Sequence, residues 1–225
     1  MKKFLSLLIA FAMVFTVFPF TAFASENTYE EIQIATKACA AFPEYADKIQ
    51  AKLQNADAQI AAFSDSPRTI VTNETRDISD KESITYTEFS DGLILLASSS
   101  VSHSVSSGGS STSGSKTTYT ITISTSLVGY SGCTAKLKNV KYVIDTSGYD
   151  KITSAGTTEK GTNCTGCSAR ISRSTETSSQ KAEMVASITY LYGNASAGQF
   201  CSTELVMTVG NNQRSISYSN LDWGY

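Results

Sequence analysis

Cysteine is the residue type in this 225-residue chain whose spacing is most informative about chemistry. Cys164 and Cys167 form a C-x-x-C pair, while Cys133 and Cys201 stand alone on either side of it. Four cysteines in an exported protein most often form two disulfides, and four cysteines allow three different pairings. The sequence therefore predicts disulfides among these four residues and leaves the pairing open.

The C-x-x-C pair has two other interpretations. It is half of a four-thiolate zinc site, but Cys133 and Cys201 do not form the second half, so no metal is predicted. A thioredoxin-like redox pair begins a helix, whereas this pair follows loop residues and leads into a strand pattern. The fifth cysteine, Cys39, is interpreted as a buried thiol, with a dimer-forming disulfide as the alternative.

Catalytic residues are not evident. His103 is the only histidine, and no G-x-S-x-G or H-E-x-x-H motif accompanies it. A pair of carboxylates is the other route to hydrolysis, and acidic residues are scattered over the β-rich part of the chain. They are Glu88, Asp91, Asp145, Asp150, Glu159, Glu176, Glu183, Glu204 and Asp222. Most fall at turns or on the polar side of a strand pattern, so the sequence assigns no catalytic residue.

Aromatic residues offer a route to ligand binding instead. Tyrosine faces can stack on a ligand, although tyrosine is also a favoured strand residue. Trp223 and Tyr225 are the weak binding candidates, because they lie near the end of the given sequence, where exposure is favoured. An unknown extracellular partner, protein or glycan, is the corresponding expectation.

The charge balance argues against several other classes of function. The formal net charge is −2, and the lysines at 136, 138 and 141 make only a small cationic strand face, so nucleic-acid binding is not expected. No calcium-binding D-x-D-x-D-G loop and no phosphate-binding glycine motif is present in the sequence. No cofactor is predicted.

The N-terminus is typical of a secretory signal peptide. Lys2 and Lys3 precede an apolar run, and Pro19 and the A-x-A sequence at 22–24 follow it. The predicted signal peptide is 1–24, which places the protein outside the cell. An uncleaved anchor is the alternative, but the helix-breaking proline and the small residues favour cleavage. No membrane association is expected after cleavage.

A helical segment is predicted at 25–66. Its apolar residues, from Ile32 through Phe42 to Ile60, recur every three or four positions. Pro43 cannot donate a hydrogen bond to the preceding turn, so it kinks this helix or begins a second one.

From 67 to 225 the apolar period falls to two, which indicates a β-rich domain. The predicted fold class is mainly β with an N-terminal helical segment (α+β), an antiparallel β-sandwich or a partly open barrel following the helix. The Ser/Gly-rich stretch 98–116 is either a hairpin loop or a linker. Leu137 and Val140 have opposite phases, which predicts a bulge near Asn139.

These features favour a secreted, non-catalytic protein that binds a surface, a glycan or a protein partner. The alternatives are a secreted hydrolase that uses His103 or a carboxylate pair, and a bacteriocin-like effector. The choice for binding depends on tyrosines, strands and cysteines being present while acid–base motifs are not.

Overall fold

The computed structural model describes residues 26–54, 69–108, 115–191, 200–218 and 222–224. The predicted signal peptide and Tyr225 lie outside these ranges. Among the described residues, no helix combines the length and the apolar character needed to cross a membrane.

The helical segment is divided where proline interrupts it. Helix α1 spans Glu26–Ala41, a 3₁₀ turn spans Pro43–Tyr45, and helix α2 spans Ala46–Gln54. Phe42 leaves the helical conformation, with φ −126° and ψ 71°, and Pro43 then begins the 3₁₀ turn. A proline at the first position of a helical turn loses no hydrogen bond, since that N–H has no partner inside the helix.

Strands form the rest of the described structure. They are β1 (Ile70–Ser79), β2 (Glu82–Phe89), β3 (Ile94–Gly108), β4 (Ser115–Leu127), β5 (Thr134–Asp145), β6 (Lys151–Ser154), β7 (Thr157–Lys160), β8 (Cys164–Arg173), β9 (Ala182–Leu191), β10 (Phe200–Gly210), β11 (Gln213–Tyr218) and β12 (Asp222–Gly224).

The strands make two antiparallel sheets. The larger sheet has seven strands in the order β1-β2-β3-β4-β5-β6, with β7 also paired to β5. The smaller sheet has five strands in the order β11-β10-β9-β8, with β12 also paired to β10. The prediction of a mainly antiparallel β fold with an N-terminal helical segment is confirmed, in its sandwich-like form.

The two sheets share one apolar cluster, which we call the sandwich core. Alternate residues of β4 and β10 point into it, including Ile121, Ile123, Leu205 and Met207, all of them fully buried. Burial of a side chain of this size contributes about 1.5–3 kcal/mol, so the alternating pattern fixes which face of each strand meets the other sheet.

Strands β3 and β4 form a long hairpin through the Ser/Gly-rich region. Their register runs from Leu95 opposite Leu127 to Gly108 opposite Ser115. The serine-rich residues up to Gly108 are therefore paired strand, and only 109–114 lie outside the described residues.

The predicted bulge near Asn139 is confirmed. Ile121 pairs with Val140 and Ile123 with Leu137, so β5 has one more residue than β4 between these pairs. Asn139 lies at this bulge, and its backbone has the left-handed conformation, with φ 59°. Asparagine tolerates that conformation better than most residues, and the bulge lets both Leu137 and Val140 face the core.

A second apolar cluster, which we call the helix layer, joins the helices to the outer face of the larger sheet. Phe42 and Ile49 from the helical segment pack there with Ile84, Tyr86 and neighbouring residues of β2 and β3. Because β2 and β3 are covered on both faces, the run from 93 to 97 is apolar at every position.

The buried stripe of α1 differs from the predicted one. It contains Glu31, Ile34 and Ala38, while Ile32 is 37% exposed. The expectation that Ile32 faces the core is therefore wrong. The first buried position of the stripe is Glu31, which is not apolar. A search for apolar residues alone therefore chooses Ile32, one residue later, as the start of the buried face.

Candidate binding cleft

A cleft of about 250 Å³ opens where the larger sheet meets the edge of the smaller one. Its apolar lining comes from inward-facing residues of β3, β4 and β5, and its polar lining comes from the β1–β2 turn and from β11. The lining includes Asp77, Asp80, Glu82, Tyr119, Tyr142 and Arg214.

Two tyrosines form the aromatic wall of the cleft. Tyr119 of β4 and Tyr142 of β5 are directly opposite each other across the strand pair. Their ring centroids are 4.9 Å apart and the ring planes differ by 14°, which is a stacked arrangement. Tyr142 is buried and Tyr119 is half-buried. Burial raises the pKa of Tyr142, and the nearby Arg214 opposes that rise, so the Tyr142 hydroxyl is neutral at ordinary pH.

Arg214 reaches from the smaller sheet to the larger one. Its Nη2 donates a hydrogen bond to the Ser83 hydroxyl at 3.2 Å, and that hydroxyl is 2.7 Å from the Ser99 hydroxyl. Its Nη1 is buried and has no hydrogen-bond partner among the described residues. A buried donor without an acceptor costs about 1–3 kcal/mol, so this guanidinium has one hydrogen-bonding group that the described residues leave unsatisfied.

The opposite rim of the cleft is acidic. Asp77 and Asp80 are exposed at the end of β1 and in the following turn. Glu82 is half-buried and pairs with Lys37 of α1, with 3.1 Å between Nζ and Oε1. The cleft thus combines a flat aromatic wall, the guanidinium of Arg214, the ammonium of Lys81 and several carboxylates.

Other carboxylates that the sequence raised as acid candidates hold turns together. Asp150 accepts hydrogen bonds from the backbone N–H groups of Asp145 and Asn212, each at 2.8 Å. Glu176 accepts from the N–H groups of Asn211, at 2.7 Å, and of Asp150, at 3.1 Å. Asn211 and Asn212 form the two-residue β10–β11 turn with φ 56° and 60°. These carboxylates therefore fix the turn that carries Asn212 to the cleft rim.

The carboxyl of Asp145 also has partners that hold it in place. The Ser147 hydroxyl donates to Asp145 at 2.9 Å and lowers the pKa of that carboxyl. Lys116 lies 3.2 Å from its other oxygen. Asp145 is therefore held as a carboxylate, which makes it a poor proton donor.

The remaining residues singled out from the sequence are not brought to the cleft lining. His103 lies in β3 opposite Thr120. Trp223 lies in β12 opposite Cys201. The side chains of His103 and Trp223 and the whole of Tyr225 lie outside the described residues, so their binding or catalytic roles stay predictions.

No disulfide joins any of the five cysteines, all of which are among the described residues. Cys133, Cys164 and Cys201 are buried in the sandwich core, Cys167 packs against it, and Cys39 belongs to the helix layer. Burial raises the pKa of Cys164 to about 11 and raises that of Cys133 strongly, which makes both thiols poor nucleophiles. Among the described residues, no three His, Cys, Asp or Glu side chains converge as a metal site would require.

Sequence reasoning missed the residues that line the cleft. Tyr119 and Tyr142 share the inward parity of core residues on adjacent strands, and that parity was the available signal. Arg214 gave no signal, because its approach to β2 depends on how the two sheets pack.

Comparison with known proteins gave no matching family model, no matching curated protein and no matching solved structure.

Proposed function

We propose that this protein is exported and binds an extracellular glycan in the cleft between its two sheets, without catalysing a reaction. The observation that carries the proposal is the buried, unpartnered Nη1 of Arg214 beside the stacked pair of Tyr119 and Tyr142. The proposed signal peptide at 1–24 supplies the route of export.

A carbohydrate fits the chemistry of this cleft. A pyranose has an apolar face of C–H groups that can lie on an aromatic ring, and it has hydroxyls at its edge that both donate and accept hydrogen bonds. The half-buried face of Tyr119 offers the apolar contact. The Arg214 guanidinium supplies donors, and the carboxylates of Asp77 and Asp80 supply acceptors on the opposite rim.

Binding is preferred to hydrolysis because three of the candidate carboxylates already have other hydrogen-bond or ion-pair partners. Asp150 and Glu176 accept backbone hydrogen bonds, and Asp145 is ion-paired with Lys116. The alternative of a hydrolase stays open through Asp77 and Asp80, which line the cleft, and through His103. No observation favours the bacteriocin-like effector.

The proposal includes the formation of disulfides after export. Export exposes thiols to oxidation, and paired sulfurs would replace the free thiols of Cys133, Cys164, Cys167 and Cys201. Intact mass spectrometry of the secreted protein tests export and oxidation together. The expected mass is that of a chain that begins at Ser25, lower by two hydrogens for each disulfide. Retention of residues 1–24 would contradict the proposed cleavage.

Glycan binding is tested on the mature protein with a panel of soluble oligosaccharides, followed by calorimetry on those that bind. Tyr119→Ala and Arg214→Gln should each weaken binding by about tenfold or more, since tenfold corresponds to about 1.4 kcal/mol. Arg170→Gln is the matched control, because Arg170 is exposed on β8 and does not line the cleft.

Two results would overturn this proposal. Equal affinities for the wild type and both cleft variants would place the ligand elsewhere on the molecule. Appearance of shortened oligosaccharides during the titration, abolished by Asp80→Asn, would replace binding by hydrolysis.

A further inference from the structure

Four cysteines collect at one end of the sandwich core, and they come from both sheets. Cys133 immediately precedes β5 of the larger sheet, whereas Cys164 and Cys167 lie in β8 and Cys201 lies in β10 of the smaller sheet. Four cysteines allow three disulfide pairings, and the strand order of the smaller sheet distinguishes between these pairings.

Strand β9 separates Cys201 from both cysteines of β8. Cys164 and Cys201 are both opposite Tyr190, one on each side of it, and Cys167 is opposite Ile188. Adjacent strands are about 4.8 Å apart, so residues on β8 and β10 are separated by about 10 Å. A disulfide needs Cα atoms within about 7 Å, so Cys201 can pair with neither Cys164 nor Cys167.

Cys133 is the cysteine that can reach Cys201 from the other sheet. Its thiol donates to the Leu191 carbonyl oxygen at 3.3 Å. Leu191 follows Tyr190, the residue opposite Cys201. After burial, the Cys201 thiol is the strongest of the neighbouring influences that raise the pKa of Cys133, ahead of Glu31 and Cys164, which agrees with its proximity.

A bulge brings the two cysteines of β8 to the same face. In a regular strand, residues three apart point in opposite directions. Here Cys164 is opposite Tyr190 and Cys167 is opposite Ile188, with a register shift between them, so both face the sandwich core. Their separation along the strand is that of two residues, roughly 7 Å, at the upper end of the disulfide range.

We infer that the exported protein carries two disulfides, Cys133–Cys201 joining the two sheets and Cys164–Cys167 within the bulge of β8. This inference rests on the proposed export. Cys39 stays a thiol, because it lies in the helix layer on the far face of the larger sheet, 3.9 Å from the Ala46 carbonyl oxygen.

Each bond forms by thiol–disulfide exchange with an external disulfide, such as an exported oxidoreductase or oxidised glutathione. One cysteine attacks the oxidant as a thiolate and forms a mixed disulfide; the second displaces the oxidant's sulfur. The pair loses two protons and two electrons, and the oxidant's disulfide is reduced to two thiols.

Peptide mapping of the secreted full chain tests the pairing without any substitution. Free thiols are first alkylated at low pH, and the protein is then digested with trypsin without reduction. Tryptic cleavage places Cys133 in peptide 117–136, both cysteines of β8 in peptide 161–170, and Cys201 in peptide 182–214.

The inference predicts that peptide 117–136 is linked to peptide 182–214. It also predicts that peptide 161–170 runs alone, lighter by two hydrogens, and that Cys39 is alkylated in peptide 38–48. Both other pairings would join all three peptides into one species, and that result overturns the inference. So does a link between 117–136 and 161–170 alone, or alkylation of all five cysteines.

Cys39→Ser is the control, and it should leave the map unchanged. The oligosaccharide titration is run on the same preparation, so the two proposals can fail separately. A correct map without sugar binding contradicts the glycan cleft alone, whereas sugar binding with a different map contradicts the pairing alone.

Discussion

The sandwich core is the larger of the two apolar clusters, and the helix layer differs from it in charge. The buried polar groups of the sandwich include the Thr125 and Tyr190 hydroxyls, which are 2.9 Å apart, and its buried carboxyls, Asp145 and Asp150, lie at the end of β5 and just before β6, where they accept hydrogen bonds. The helix layer buries Glu31 and is bordered by ion pairs such as Lys37–Glu82 and Lys48–Glu88. The attachment of the helices should therefore weaken as the pH rises and Glu31 ionises.

The contact at Glu31 shows how tightly the helices are attached. Its Oε1 accepts a hydrogen bond from the Gly129 N–H at 3.0 Å. Gly129 has φ 85°, and a Cβ there would lie 2.5 Å from the Lys52 carbonyl oxygen of α2. A glycine is required at this point, because the β4–β5 turn contacts both helices.

The largest expected effect is on the helix layer itself. Phe42 is fully buried, with its ring 5.8 Å from Tyr86, and the Arg76 guanidinium lies 4.6 Å from the ring centroid. Phe42→Ala should cost about 3–5 kcal/mol through lost contacts and the cavity left behind.

Hydrogen exchange distinguishes local from global loss after this substitution. Amides of α1 and α2 should exchange much faster, while amides of β9 and β10 keep their protection. Leu205→Ala is the matched variant in the sandwich core, and it should accelerate exchange everywhere. Equal acceleration in both variants would mean that the two clusters unfold as one unit.

The second prediction concerns the buried carboxyl. Burial raises the pKa of Glu31 to about 7, partly offset by the Gly129 hydrogen bond. In the unfolded chain it ionises near pH 4.5, so stability falls as pH rises from about 4.5 to 7. At about 1.4 kcal/mol per pKa unit, the loss is of the order of 3 kcal/mol.

Glu31→Gln should remove this loss, because glutamine keeps an acceptor for Gly129 and carries no charge. The variant should be more stable than the wild type at pH 8 and nearly equal to it at pH 4, measured by urea unfolding. The nearby Glu30–Lys136 pair, 2.6 Å apart, is not altered by this substitution and should contribute equally in both proteins. A variant that is less stable than the wild type at pH 8 would contradict the raised pKa.

The smallest effect is expected at the border of the helix layer. Lys48 pairs with Glu88 at 2.8 Å, and Glu88 also accepts a hydrogen bond from Tyr86 at 3.0 Å. Lys48→Met should cost no more than about 1 kcal/mol, since Lys48 is exposed and solvent weakens the pair.

Thermal unfolding in low and high salt measures this contribution. Wild-type stability should fall slightly in high salt, and the Lys48→Met protein should respond less. Lys151→Met is the control, because Lys151 is exposed and forms no ion pair with a described residue. An equal response to salt in the wild type and both variants would show that the pair contributes nothing.

The strands and the helix break could be predicted because local sequence dictates them. Alternating apolar residues such as Ile121 and Ile123 lie on the same face of a strand, and that face must be buried. Pro43 must interrupt a helix. The bulge at Asn139 was predictable for the same reason, since two apolar residues of opposite phase cannot both face the core without it.

The burial of Glu31 was not predictable from the helical period. The stripe of α1 is set by the surface against which it packs, which is the outer face of β2 and β3 together with the β4–β5 turn, where the Gly129 N–H is a donor. The cleft was not predictable either. Tyr119 and Tyr142 have the sequence pattern of ordinary core residues, and only the packing of the smaller sheet leaves Tyr119 half-buried beside the cleft.

The sequence by itself determined a mainly β chain with a divided helical segment, because periods of two and of three to four residues are local properties. It also determined that four cysteines lie in the β-rich region, with three pairings equally open. Only the tertiary structure distinguishes between those pairings, because the order of strands in a sheet cannot be derived from any one strand. Strand β9 lies between Cys201 and the β8 cysteines, and this topology is the reason that we infer Cys133 as the partner of Cys201.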